Sequence, residues 1–156
     1  MNVKFRILLP ISMVFLVACS LISGNKELEE QSKRITDLIY PHRTEYVGDN
    51  SKVGALLYAM KIDYEKFAIL SDKEPYGLKV LVADSDREFE TTDFRYQSYE
   101  LLGLIKNLDY VIFTNGHLDL EQKMDVEQAT EELGYSPKLF YEDKALFQKY
   151  YRETLD

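Results

Sequence analysis

One thiol, two imidazoles and 27 carboxylates are what this chain of 156 residues offers for chemistry, and their spacing decides what they can do. The single cysteine, Cys19, excludes an internal disulfide framework and a multi-cysteine metal site. His42 and His117 stand far apart, each beside turn-forming residues, so neither is given the held partner that general-base work needs, and zinc finds little. Asp84, Asp86, Glu88, Glu90 and Asp93 alternate as the carboxylates of a calcium loop do. With Asp84 in the first place, however, Phe89 falls where that loop needs glycine and Arg95 falls where it needs a bidentate glutamate. The run reads instead as a solvated acidic connection, and no metal is assigned. Nor does the sequence hold a nucleophile elbow, a P-loop, an HExxH helix or a dinucleotide-binding glycine cluster. These residues predict a protein without catalytic activity. The alternative, a hydrolase, requires some pair among Asp84, Asp86, Asp93 and Asp109 to converge in a cleft.

Cys19 has a more specific setting than any of these groups. Lys4 and Arg6 form a short positive region, and Ile7 to Val17 is an apolar run interrupted only by Pro10 and Ser12. That is the layout of an export signal. The tetrapeptide Leu16-Val17-Ala18-Cys19 resembles the lipobox of bacterial lipoproteins. The resemblance implies cleavage before the cysteine and transfer of a diacylglycerol with palmitate-type chains to its sulfur. Each buried methylene contributes about 0.8 kcal/mol, so one acyl chain holds marginally while two hold stably. An uncleaved signal anchor over Phe5 to Ile22 is the competing reading, since that run approaches the ~18 residues of a spanning helix. Pro10, Ser12 and Ser20 weaken it. Either reading predicts a body on the extracytoplasmic face of a cell membrane.

Loss of residues 1–18 takes Lys4 and Arg6 and no acid, lowering the cations from 19 to 17 against 27 acids, a net charge near −10. Such a surface repels phosphodiester backbones and anionic head groups, so nucleic acid is excluded as a partner and attachment to the bilayer rests on the lipid. No cofactor is expected besides the covalent diacylglycerol on Cys19.

The elements that would position these groups follow from periodicity. Residues 19–32 read as a charged tether and 33–156 as one α+β domain. A short helix over Lys33 to Tyr40 is stopped by Pro41. Val53, Leu56, Leu57 and Met60 repeat at helical spacing behind the capping types Asp49, Asn50 and Ser51. Lys66 to Leu70 and Tyr76 to Ala83 predict a strand pair about the turn Ser71 to Pro75. Phe94 to Asn107 predicts a helix buried on most faces, and Tyr110 to Thr114 a third strand closed by the tight-turn dipeptide Asn115-Gly116. Leu118 and Leu120, alternating with Asp119 and Glu121, predict a short returning strand. Asp125 with Gln128 opens a helix that Gly134 ends, and Glu142 to Thr154 closes the chain as another. The expected fold is a small, mostly antiparallel sheet of about three strands packed by helices.

Two segments stand out as candidate binding elements. Tyr46-Val47-Gly48-Asp49-Asn50 places a glycine, with its wider choice of backbone angle, before a helix start, and helix N-termini can hold anions. Capping by Asp49 or Asn50, with Tyr46 and Val47 packed down as a staple, explains it without a ligand, and Asp49 repels an anion there. Pro75, Tyr76 and Gly77 suit a recognition loop, but a β-turn feeding the second strand explains the proline and glycine without any ligand and is the favoured reading. The tyrosines near the C-terminus, Tyr135, Tyr141, Tyr150 and Tyr151, have the spacing of packing residues.

Tyr46 to Val53, Glu74 to Leu78, and Leu101 to Phe113 with its Asn107-Leu108-Asp109 turn are together similar to the domain of unknown function 4825 family, over roughly Thr44 to Arg152. The resemblance implies an extracytoplasmic module of a kind found in exported bacterial lipoproteins and fused to membrane metallopeptidases related to β-lactam sensors. It carries no catalytic residues. The expected role is a binding or modulatory module acting on a cell-envelope protein, with a small-molecule or cation binder and an envelope hydrolase as alternatives.

Overall fold

Residues 12–116 and 120–155 are described by a computed structural model, with side chains from residue 24 onward. The start of the export signal and the residues His117, Leu118 and Asp119 lie outside the described residues, as do the side chains of Leu16, Val17, Ala18 and Cys19. Helix α1 covers Ser12–Ile39. It begins far earlier than the short helix expected from Lys33, because the segment read as tether is rich in Lys, Glu and Gln, which are good helix formers. Its last three turns also find a partner: Glu29 accepts hydrogen bonds from Gln148 and Arg152, at 2.7 and 3.2 Å, and Asp37 pairs with Lys144 at 2.6 Å. Ser32 and Thr36 are fully buried. Among the described residues no helix is long and apolar enough to cross a membrane.

Pro41 ends α1 in a 3₁₀ turn, Tyr40–His42. Helix α2, Asn50–Ala59, is capped as its sequence predicts: the Asp49 carboxylate accepts the backbone N–H of Lys52 at 3.1 Å, and Val53, Leu56 and Leu57 are buried.

Among the described residues the sheet has four strands, one more than the three expected, and it is mixed, mostly antiparallel with one parallel pair. Strands β1 (Tyr64–Leu70), β2 (Gly77–Val82), β3 (Tyr110–Thr114) and β4 (Glu121–Asp125) lie in that spatial order. The outer pairs are antiparallel and the central pair, β2 with β3, is parallel. A parallel pair needs a long crossover, and here it runs through two helices. The first, α3 (Asp86–Thr91), lies where a solvated acidic connection was expected. Ser85 and Glu88 form a capping box that starts it, and Phe89 is buried and packs 5.5 Å from Phe94. The second, α4 (Arg95–Leu104), is buried on most faces as expected. Strands β3 and β4 are not joined by a two-residue turn, since Thr114 pairs with Glu121. Gly116 has φ +77°, whereas the Asn115 side chain is drawn inward and donates to Asp86 at 2.7 Å.

Helix α5 (Val126–Leu133) carries both expected signals, with Asp125 accepting from the Gln128 N–H and Gly134 in the left-handed conformation. Helices α6 (Leu139–Glu142) and α7 (Lys144–Leu155) complete the chain. Alternation along the strands turns Leu78, Val80, Val82, Val111, Phe113 and Met124 into the core. The C-terminal aromatic residues form a second packed layer, in which Phe140 lies 5.3 Å from Phe147 and 5.1 Å from Tyr150.

Candidate functional site

The two candidate segments, sixty and thirty-three residues from their partners, are fastened to one turn. Helix α4 ends at Leu104, and the chain must then turn to enter β3, which exposes carbonyl and amide groups that need partners. Thr44 meets this end, donating its N–H to Leu104 O at 2.9 Å and accepting from Lys106 N–H at 2.9 Å. The chain from Thr44 continues beside the turn, so Val47 N–H donates to Asn107 Oδ1 at 2.7 Å. On the other side, Asp109 Oδ2 accepts from Tyr76 N–H at 2.6 Å while Asp109 N–H donates back to Tyr76 O at 2.8 Å. Leu108, between them, is fully buried.

Lys138 closes the turn from beneath, its Nζ donating to Ile105 O at 3.0 Å and also to Leu108 O. Burial lowers the Lys138 ammonium to about 8, an effect the nearby Asp109 charge opposes. Glu74, Pro75, Tyr76, Asn107 and Asp109 line a shallow cleft of about 520 Å³ over this knot. The polar groups at its floor are spent on backbone partners. What the arrangement does chemically is hold three distant segments in register.

The candidate residues take separate places. Tyr46 is 64% exposed and is no staple, so Val47, fully buried, packs down alone. Gly48 is exposed and does not use its wider choice of backbone angle for a positive φ, which among the described glycines only Gly116 and Gly134 adopt. Asp49 is occupied as the α2 cap, where it also pairs with Lys52 at 3.9 Å, and Asn50 is exposed in the first turn. Pro75 is exposed and Tyr76 half-buried, and Gly77 is buried. At Gly77 the outer end of the Tyr110 ring lies where a Cβ would stand, with Lys123 Nζ 4.7 Å from the centre of that ring.

Three of the four acids of the hydrolase alternative are engaged by separate partners: Asp86 accepts from Asn115, Asp93 pairs with Arg95 at 2.6 Å, and Asp109 holds Tyr76. Among the described residues no group of three or more His, Cys, Asp or Glu is gathered as a metal would require. His42 is half-buried in the 3₁₀ turn rather than on an open loop. Sequence reasoning assigned Asn107 no role, offered Asp109 only as one acid of the hydrolase alternative, and drew no attention to Lys138. Only the place of Asp109 directly before a strand hinted at a turn.

If Asn107 holds Val47, its removal leaves a buried N–H without its acceptor. Asn107→Ala is expected to destabilise the fold by about 1–3 kcal/mol, with Asn107→Asp retaining most of the stability because the acceptor oxygen remains. Urea midpoints measure this, and an unchanged midpoint for the alanine variant would mean that the bond contributes nothing.

The sequence pattern of a family described as a domain of unknown function, DUF4825, matches residues 39–130, more than half of the chain. That span contains all three fastened segments. No curated protein and no solved structure matches.

Proposed function

The chain belongs to the DUF4825 family, and on that premise we propose that it is a lipid-anchored extracytoplasmic module that binds or modulates a cell-envelope protein and performs no catalysis itself. The observation that carries this reading is Leu16-Val17-Ala18-Cys19 directly behind a positively charged, apolar leader. Export would free Cys19 as the first residue, and two acyl chains on its sulfur give the stable hold that one does not. The acidic body adds no affinity for an anionic surface, which leaves the anchor as the attachment. Helix α1 supports the same reading. Gly24 to Glu27 are exposed, and Glu29 is the first residue that α7 holds. At ~1.5 Å per residue the intervening helix lifts the body roughly 15 Å from the anchor. A body whose Asn107, Asp109 and Lys138 fasten backbone, with no gathered nucleophile or base among its described residues, suits recognition rather than turnover.

The test is Cys19→Ala in the full chain, read by incorporation of labelled fatty acid and by membrane fractionation. Loss of label together with release from the membrane fraction is expected. Undiminished label would show that this thiol is not the acceptor. Membrane retention without label would replace the lipid by the uncleaved anchor over Phe5 to Ile22.

A further inference from the structure

The two edges of the sheet are protected differently. An edge strand points the N–H and C=O of every second residue away from its neighbour, a row that a protein must either blunt or pair. At one edge β4 is five residues long and carries charge at Glu121, Lys123 and Asp125, and its Gln122 side chain holds the backbone of Phe89, Thr92 and Phe94. At the other edge β1 is seven residues long, and among the described residues only β2 pairs with it. Its protection is confined to its start, where the register shifts between Tyr64 and Lys66. Phe67, Ala68, Ile69 and Leu70 then follow without a charge or a proline. Strand β2 separates this edge from β3, and β2 and β3 separate it from β4, the strands that flank His117, Leu118 and Asp119.

We propose that β1 pairs antiparallel with β1 of a second copy of this chain, about a two-fold axis at Ala68, so that two four-stranded sheets become one. Hydrogen-bonding chemistry selects an extended polypeptide as the occupant, since a helix spends its own amides internally and a lipid offers no alternating row of donors and acceptors. The residues select the second copy. Phe67 and Ile69 lean on the core, whereas Lys66, Ala68 and Leu70 are exposed on the other face. With the axis at Ala68, Phe67 stands opposite the partner's Ile69 and extends the core layer, and the stem of Lys66 lies beside the partner's Leu70. The smallest side chain of the run falls on the axis, and no two like charges oppose each other. An axis at Phe67 would set Glu65 against the partner's Ile69, and an axis at Ile69 would leave only the last three residues of β1 paired. The contact, five residues at ~3.4 Å each and one strand wide, falls well short of the ~800 Å² per partner of a standard interface. Pairing therefore belongs at the membrane, where anchoring confines the copies and raises their effective concentration, and in this the inference rests on the lipid-anchored reading.

The test is disulfide capture in the full chain on its native membrane. Mild oxidation of Ala68→Cys is expected to give a covalent dimer of twice the chain mass, because residues directly opposite have Cβ atoms about 4.5–5.5 Å apart. Leu70→Cys alone is expected to give none, since its counterpart lies four residues off, roughly 14 Å away and beyond disulfide reach. Lys66→Cys and Leu70→Cys in one chain should restore the dimer, and adding Ala68→Lys, which opposes like charges on the axis, should lower its yield at least about tenfold. Urea midpoints show that each variant keeps its fold. No dimer from Ala68→Cys, or equal yields from Ala68→Cys and Leu70→Cys, overturns the proposal. An Ala68→Cys adduct with a different polypeptide overturns the second copy in favour of a partner's strand. Failure of the anchor is read separately: protein recovered off the membrane brings down the anchored reading, and the same cysteine pattern in purified protein at about 1 mM, the effective concentration of tethered pairs, then decides the pairing.

Discussion

Gly103→Ala is expected to cost the fold about 2–4 kcal/mol, although alanine in place of a helical glycine would by propensity alone gain nearly 1 kcal/mol. Gly103 lies inside α4, where that helix crosses the start of α6. A Cβ there would stand 2.5 Å from Phe140 Cδ2, 2.7 Å from the Pro137 carbonyl oxygen and 3.1 Å from Phe140 Cβ. The carbonyl is backbone and cannot swing aside. Phe140 is fully buried, with Phe147 and Tyr150 against its ring. Relief therefore requires α6 to move away from α4, which disturbs the aromatic layer and draws Lys138 from the turn it closes. The contact differs in kind from that at Gly77, where the obstructing atoms belong to the outer end of the half-exposed Tyr110 ring. Urea denaturation reads the effect as a lowered midpoint with an unchanged slope. A Gly103→Ala protein as stable as the parent would mean that the α4–α6 approach is looser than described.

The parts of this architecture legible in the sequence are those whose causes are local. Asp49, Asp125 and Gly134 cap helices with their own neighbours, within three or four residues, and the apolar repeats of α2 and α5 report the face they bury. Ser85 and Glu88 were equally local, and α3 was missed because the acids around them drew the reading toward a loop. The parallel pairing of β2 with β3 had no comparable signal. It depends on where α3 and α4 return the chain, which strand composition does not state. The knot beneath the candidate cleft was invisible for the same reason. Asn107 reaches Val47, Asp109 reaches Tyr76 and Lys138 reaches Leu108 across long stretches of sequence, and nothing in a single polar residue names its distant partner. Tyr46 and Gly48 erred the other way, since plausible local roles were displaced by a chain path that leaves both exposed.

Glu100→Gln is expected to stabilise the protein in a manner that depends on pH. Glu100 sits on α4 with 6% exposure, facing the α7 tyrosines Tyr150 and Tyr151. Burial pushes its carboxyl up to about 8 from an ordinary value of 4.5, against the opposing pull of the Tyr151 hydroxyl. Both tyrosine hydroxyls are themselves raised by burial, so they stay neutral across this range. In the folded chain Glu100 thus keeps its proton to about pH 8, while in the unfolded chain it loses it above 4.5. The native state binds the extra proton between those values, so stability is fully present below 4.5 and falls as pH rises through the window, by up to ~1.4 kcal/mol per unit. Glutamine keeps the neutral polar group and has no proton to lose. The two proteins should be close in stability near pH 4.5, with the variant ahead by about 2–4 kcal/mol near pH 8, as urea midpoints across that range would read. Curves that stay parallel would place Glu100 in contact with water. The consequence reaches beyond stability, because α7 also carries Lys144 and Arg152, which hold Asp37 and Glu29 of α1. A charge forming under α7 would strain the same helix that seats α1, so wild-type protein should lose protection of the α1 amides in hydrogen exchange toward alkaline pH before the sheet opens, and Glu100→Gln should not.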